Sequence, residues 1–386
     1  MQNLIVDAFA AFHPPSAYET LADFYVGDLD ERDMDKSSIQ TGSFAHDLQV
    51  LRQELYDEGL FQSSKVYYSF KVLSTFGILA VSIWLLLRGG SGSWLWAVTS
   101  AMLMGIYWQQ MGWLAHDFLH HQVFSNRKWN DTMGFILGNV FQGFSVDWWK
   151  NKHNSHHAAP NVHGYDPDID TMPILGWSEH ALDIFSEGSD EAVAKLLVSY
   201  QPYTYFIFLA FARLAWCQQS LFHAFLGSPQ NKTTEMWTLS LHWLLYLGVI
   251  AWKLPLMKAV TYLVVSQATC GLLLALVFSL NHNGMPIYSM KEAEHMDFYR
   301  KQILTGRDVD HNILTNWFTG GLNYQIEHHL FPSMPRHNFG LIEPRVRALC
   351  EKHKIAYHKT GFLEGTYEVL GRLQHIAALA RKLKAQ

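Results

Sequence analysis

Three short runs concentrate histidine at helical spacing. HDFLHH supplies His116, His120 and His121; HNSHH supplies His153, His156 and His157; QIEHH supplies Gln325, His328 and His329. Eight of the chain's 21 histidines fall in these runs, and a ninth, His282, follows directly on a long apolar stretch. Residues three or four apart share one face of a helix, so each run can aim two or three side chains at one point. A single buried histidine is ordinarily a hydrogen-bonded core residue; three such runs describe a shared metal site. Imidazole suits zinc, copper, iron and nickel. A tetrahedral zinc takes four ligands, fewer than these runs offer, whereas two ions with nearly all-nitrogen coordination would use them. There is no HExxH pattern of a zinc protease. A carboxylate di-iron bundle needs two Glu-x-x-His motifs, and only Glu292 and His295 have that spacing. A histidine-rich di-iron centre is the best remaining choice.

The elements that would carry these side chains are apolar. Of 386 residues, 49% are hydrophobic and 16% charged, against the usual quarter charged for a soluble domain. Aromatic residues are abundant (14 Trp, 24 Phe, 17 Tyr), as in interfacial belts. A net charge of −5 gives no argument for a nucleic-acid partner. The three cysteines, Cys217, Cys270 and Cys350, are too scattered for a disulfide framework or a thiolate site. The opening MQNLIVDAFAAFHPP lacks the basic start and apolar length of a secretory signal, so insertion is expected to use internal segments.

Apolar stretches run over 70–87, 94–115, 203–224, 236–252 and 258–280. If all the clusters meet, they lie on one side of the bilayer, and an even number of crossings separates His157 from His282. One of the last three stretches therefore does not cross. We assign 203–224 to the interface, because it carries Arg213, costly at mid-bilayer, and begins after Pro202. The expected fold is an all-α integral membrane protein. Four spans, 70–87, 94–115, 236–252 and 258–280, form two hairpins beneath a cytosolic helical cap that carries the three boxes. Fourteen of the 29 Lys and Arg lie beyond residue 280, which places that region, both termini and the clusters in the cytosol. The competing reading is a soluble helical protein with unusually apolar core helices.

The segments GWLAHDFLHHQVF, WWKNKHNSHHAAPNVHGYDPDIDT, FSLNHNGMP and NWFTGGLNYQIEHHLFPSMPRHN, in this order, resemble the membrane fatty acyl desaturases. A third box that begins with glutamine resembles the front-end branch, which desaturates between an existing double bond and the carboxyl end. The likeness extends from Phe12 onward and is greatest to fungal Δ6 members; Δ5 acyl and Δ8 sphingolipid desaturases share the boxes. It implies iron ligands at His116, His120, His153, His156, His157, His282, His328 and His329, with Gln325 as a weak or water-bridged ligand and His121 as a further candidate. Asp117, Asn281, Asn323 and Glu327, together with Asp166 and Asp168, are candidates to orient them. Trp108, Trp113, Trp148, Trp149 and Trp317 are candidates to line an acyl tunnel.

The resemblance also implies two irons, dioxygen, electrons from cytochrome b5 and its NADH reductase, and a fatty acyl substrate on CoA or phospholipid at the endoplasmic reticulum. Front-end members usually carry an N-terminal cytochrome b5 domain whose haem sits between two histidines, one in His-Pro-Gly-Gly. That motif is absent, and DAFAAFHPPSAYETLADFYVGDL resembles only the tail of such a domain, with His13 at the second haem position. Residues 1–66 are accordingly expected to be a remnant and linker that binds no haem, and 67–386 the desaturase domain. A hydroxylase on the same metal core and an inactive remnant are the alternatives.

Overall fold

The structure, a computed structural model, describes residues 2–13, 17–27, 43–186 and 192–383. Its helices, in order, are α1 (Gln2–Phe12), α2 (Ala17–Leu21), α3 (Phe44–Asp57), α4 (Lys65–Leu85), α5 (Trp94–Leu119), α6 (Arg127–Gly134), α7 (Val146–Ala158) and α8 (Ala192–Leu226). There follow α9 (Lys232–Lys253), α10 (Leu256–His282), α11 (Met290–Ala293), α12 (Phe298–Leu304), α13 (Ile313–Phe318), α14 (Gln325–Leu330), α15 (Phe339–Lys352) and α16 (Phe362–Lys382). Besides helices, the described residues form a two-residue parallel pair, β1 (Asp308–Val309) with β2 (Lys359–Thr360), and an isolated parallel bridge between Val162 and Tyr288. The pair ties the start of α16 to the loop before the third box.

Among the described residues, two helices, Lys65–Gly90 and Leu256–His282, are long and apolar enough to cross a membrane. Each has an antiparallel partner. In the α4–α5 hairpin, Ser82 Oγ donates to Ser100 O (2.8 Å) and Ser100 Oγ returns the bond to Ser82 O (2.7 Å). These hydroxyls satisfy themselves inside an apolar interface, where an unmade bond is expensive. Lys258 Nζ donates to Ser91 O (2.7 Å), joining the start of α10 to the α4–α5 turn, while Tyr246 of α9 meets Ser266 of α10 at 2.6 Å. α10 packs closely on both neighbours. A Cβ on Gly105 of α5 would fall 2.6 Å from Thr269 Cβ, and one on Gly271 of α10 would fall 2.6 Å from Ala210 O of α8. Glycine at those two positions is what lets the backbones approach.

The α8 helix begins earlier than its apolar stretch and runs through Pro202. Its first turns pack on α16, with Gln201 Nε2 donating to Leu373 O (3.0 Å), and its last turns reach the start of α7, where His223 Nε2 lies 2.6 Å from Asp147. The last turns of α8 thus lie beside α7, which carries the second histidine box. Arg213 is fully buried on it. The guanidinium donates to Gln142 Oε1 (3.1 Å) and Gln142 O (2.7 Å) and lies 3.9 Å from the centre of the Trp108 ring. A carbonyl and an aromatic face, rather than lipid or a carboxylate, receive the charge. Trp108 is therefore a partner of Arg213 and not a tunnel wall.

Candidate metal centre

Four elements bring the histidines together. α5 ends at Leu119 and supplies His116, with His120 as its C-cap. α7 starts on Ser145, whose Oγ accepts from Trp148 N (3.0 Å), and carries His153, His156 and His157. α10 ends on His282, and the six-residue α14 carries Gln325, His328 and His329. All eight of the histidines that the resemblance implies as ligands are buried. His116, His120, His153 and His328 form one group whose donor atoms lie within 4.8 Å of one another, and His156, His282 and His329 form a second. His157 joins them: its Nε2 is 3.1 Å from His153 Nε2, and its ring stacks on His329 with centroids 4.2 Å apart.

Whether this constellation fits metal is decided by the outer ring nitrogens. His156 Nδ1 lies 3.0 Å from both Asp166 oxygens, His282 Nδ1 lies 3.0 Å from Thr305 O, and His329 Nδ1 lies 2.7 Å from Gln302 Oε1. Each partner is an acceptor, so each Nδ1 carries the proton and each Nε2 presents a lone pair. Those lone pairs face one another, 3.2 Å from His156 to His282 and 3.0 Å from His282 to His329. Opposed lone pairs at this distance repel unless a cation lies among them. In the other group, His120 Nε2 and His153 Nε2 stand 2.9 Å apart, and His116 Nε2 and both His328 nitrogens are buried without a partner. The donor set fits two cations.

Protonation agrees with that use. Burial, then the neighbouring histidines, hold His120, His153, His157, His328 and His329 well below the usual imidazole range. They are neutral at physiological pH, as metal ligation requires. His156 moves the other way. Burial lowers it, but Asp166 and Asp168 together raise it more, so a carboxylate makes this imidazole the more basic donor.

Gln325 lies at the second group, with its Nε2 2.7 Å from His282 Nε2 and its Oε1 accepting from Asn281 Nδ2 (2.7 Å). Asn281 Oδ1 has no partner. Turning both amides over preserves their mutual bond and aims the Gln325 oxygen at the centre. Asn281 thus contacts Gln325 rather than an imidazole.

Other expected residues are placed differently. His121 leaves the cluster: its backbone is left-handed (φ 58°) and its Nε2 lies 3.0 Å from Asp131. Glu327 points away from the imidazoles, because adjacent helix positions diverge by about 100°. It shares the Tyr357 hydroxyl (3.0 Å) with Asp308 (2.6 Å). Burial and then Asp308 push the Glu327 carboxyl well up, and Asp308 itself is pushed up to about 6, chiefly by burial. Asn323 binds Thr319 and Asn316, inside its own loop. His13 stacks on Phe9 and bonds its own helix, with Nδ1 3.0 Å from Phe9 O, while the neighbouring Phe12 ring lies 5.9 Å from that of His157. Asp117 has His116 Nδ1 at 3.6 Å and Arg336 Nε at 2.8 Å. Both members of that ion pair are buried, so Asp117→Ala strands a guanidinium; a loss of roughly 3–5 kcal/mol of stability is expected, read as a lowered thermal midpoint in detergent.

Beneath the centre lies a cavity of about 860 Å³, reached by His116, His153, His156, His282, Gln325 and His328. Trp113, Trp148 and Trp149 line it, as expected of an acyl tunnel. Trp317 does not; its carbonyl accepts from Gln110 Nε2 at 3.1 Å. Buried imidazoles poised for two cations, above an apolar cavity, are the arrangement an oxidant of hydrocarbon chains needs.

The fatty acid desaturase family model matches residues 92–361. The chain belongs to that family. It is 39% identical over 386 residues to the acyl-lipid (9-3)-desaturase of Physcomitrium patens, covering 98% of this chain and 70% of that one. It is 36% identical over 349 residues to a Δ8-fatty-acid desaturase of Euglena gracilis, covering 88% and 80%. To the Δ6-fatty-acid desaturase of Caenorhabditis elegans it is 36% identical over 361 residues, covering 91% and 79%. This desaturase is thus grouped with front-end enzymes, while the relatives differ in regiochemistry and do not bear on the expected fungal likeness. Sequence reasoning missed Gln302, Arg336 and the Thr305 carbonyl, which stand alone without a repeating spacing.

Proposed function

We propose that this desaturase is a front-end enzyme that converts linoleoyl to γ-linolenoyl chains by inserting a cis Δ6 double bond. The observation that carries the reading is the convergence of unprotonated Nε2 atoms at the end of an apolar cavity. In it, His116, His120, His153 and His328 hold one iron and His156, His282 and His329 the other, with His157 and Gln325 completing the set. When bound, the iron pair couples removal of two hydrogens from adjacent methylenes to reduction of one dioxygen, with two electrons and two protons, to two waters. The chain's own residues do the rest. Asp166, Gln302 and the Thr305 carbonyl fix the imidazole tautomers. Trp113, Trp148 and Trp149 confine the acyl chain and exclude water.

In the same reading, α4, α5, α9 and α10 span the endoplasmic reticulum membrane and the histidine cap and both termini face the cytosol. Cytochrome b5 with its NADH reductase supplies electrons. Expression in yeast fed linoleate, with cytochrome b5 co-expressed, tests it: γ-linolenate is the expected new fatty acid. A product desaturated at Δ5 or Δ8 contradicts the regiochemistry, a hydroxylated product contradicts desaturation, and no product contradicts activity.

A further inference from the structure

The end of α10 is held from outside its own helix. A helix leaves its last carbonyls without intrahelical partners, and Leu280, Asn281 and His282 are buried away from water. Their carbonyls are nonetheless taken. Arg307 Nη1 donates to Leu280 O (2.5 Å) and to Asn283 O (3.1 Å), Arg307 N donates to Asn281 O (2.8 Å), and Asn161 Nδ2 donates to His282 O (3.0 Å). Two residues before the arginine, the Thr305 carbonyl accepts from His282 Nδ1. The guanidinium is itself fully buried and pairs with Glu368 of α16, with Nη2 at 2.8 Å and Nε at 3.1 Å. α16 carries no histidine box. It comes close enough for this pair because position 365 is glycine: a Cβ there would fall 2.8 Å from Leu280 Cδ1 and 3.2 Å from Arg307 Cδ.

Resting on the reading of the histidine cluster as a two-iron centre, we propose that Arg307 is a positioning residue for the second ion: anchored by Glu368, its guanidinium brackets His282 through the carbonyls of Leu280 and Asn283 and fixes where that imidazole stands. The segment 305–307 grips His282 at three levels, the ring through the Thr305 carbonyl, the preceding peptide through Arg307 N, and the flanking carbonyls through the arginine side chain. His282 is the ligand that needs such support. It is the last residue of α10, where helices fray, and α10 carries no other histidine. A cation at a helix C-terminus also suits the helix dipole. A planar fork can hold two carbonyls and a carboxylate at once; lysine keeps the charge but offers a point donor on a flexible stem. The ligands of the first ion, His116, His120, His153 and His328, come from α5 and its C-cap, α7 and α14, to which Arg307 makes none of these bonds.

The test uses the full chain, purified in detergent and loaded with ferrous iron, then titrated with a chelator while the iron retained per chain is counted by elemental analysis. In Arg307→Lys one of the two ions is expected to leave at a chelator concentration roughly 10–100-fold below that needed for the unaltered chain, the scale typical of residues that orient metal-bound histidines. The other ion is expected to leave where it does in the unaltered chain. Glu368→Gln, a milder change at a half-buried position, is expected to loosen the same ion by a smaller factor. In a His282→Ala background, already short of that ion, Arg307→Lys is expected to alter retention of the remaining ion by less than about twofold. Both ions loosened alike, or a further loss in the His282→Ala background, shows an arginine that merely holds the fold and overturns the proposal while the two-iron reading stands. Unchanged retention of both ions in Arg307→Lys does the same. If Arg307→Lys does not accumulate as folded protein, Glu368→Gln is judged by the same outcomes. An unaltered chain that takes up no iron overturns both.

Discussion

His282→Ala is expected to abolish desaturation and to reduce bound iron from two ions per chain to about one. His282 lies outside the three boxes, at the last residue of α10, yet its Nε2 is 3.2 Å from that of His156 and 3.0 Å from that of His329. Removing it leaves two imidazoles and an amide at that position, too few strong donors to hold a ferrous ion against a buried, water-poor surround. The first group keeps its four histidines, so the expected loss is of one ion, measured by elemental analysis of purified protein, with product below detection in the linoleate feeding assay. Retention of both irons and of product would show that His282 is a core histidine.

Gln302→Leu should weaken iron binding by roughly 10–100-fold without touching a metal ligand, the scale typical of residues that orient metal-bound histidines. Gln302 is fully buried on α12. Its Oε1 receives His329 Nδ1 (2.7 Å) while its Nε2 donates to His157 O (2.8 Å), so one amide sets a tautomer in one group and a backbone position beside the other. Leucine has a similar volume and preserves packing, but it leaves an N–H and a carbonyl unpaired, at a cost of about 1–3 kcal/mol each. A purely structural role would lower the thermal midpoint of the metal-free protein alone. The orienting role also lowers iron affinity, read by competition with a chelator, and Gln302→Glu, which keeps the acceptor, should recover most of it.

The centre was legible where spacing repeats. Three runs with imidazoles three or four residues apart announce a shared site, and His282 follows from its position after an apolar stretch. Arg213 was legible as an anomaly, a charge in an apolar run; what receives the charge, the Gln142 carbonyl and the Trp108 face, was not. Asp166, an expected orienter, lies ten residues after His156 in a turn that brings its carboxylate to 3.0 Å from His156 Nδ1. Glu327 and Asn323 lie near His328 in sequence but face other partners, since Glu327 occupies a diverging position on the six-residue α14 and Asn323 precedes that helix. Gln302 and Arg336 act through contacts between elements distant in the chain, and no local pattern marks them.

The central claim is a pair of irons held almost wholly by imidazole nitrogen. Elemental analysis combined with iron-edge X-ray absorption on the purified full chain addresses it directly. The account predicts two irons per chain, a nitrogen-dominated inner coordination sphere with strong imidazole scattering, and loss of that signal in His153→Ala. One tightly bound zinc per chain with no iron uptake, or an iron sphere dominated by carboxylate oxygen, would contradict it.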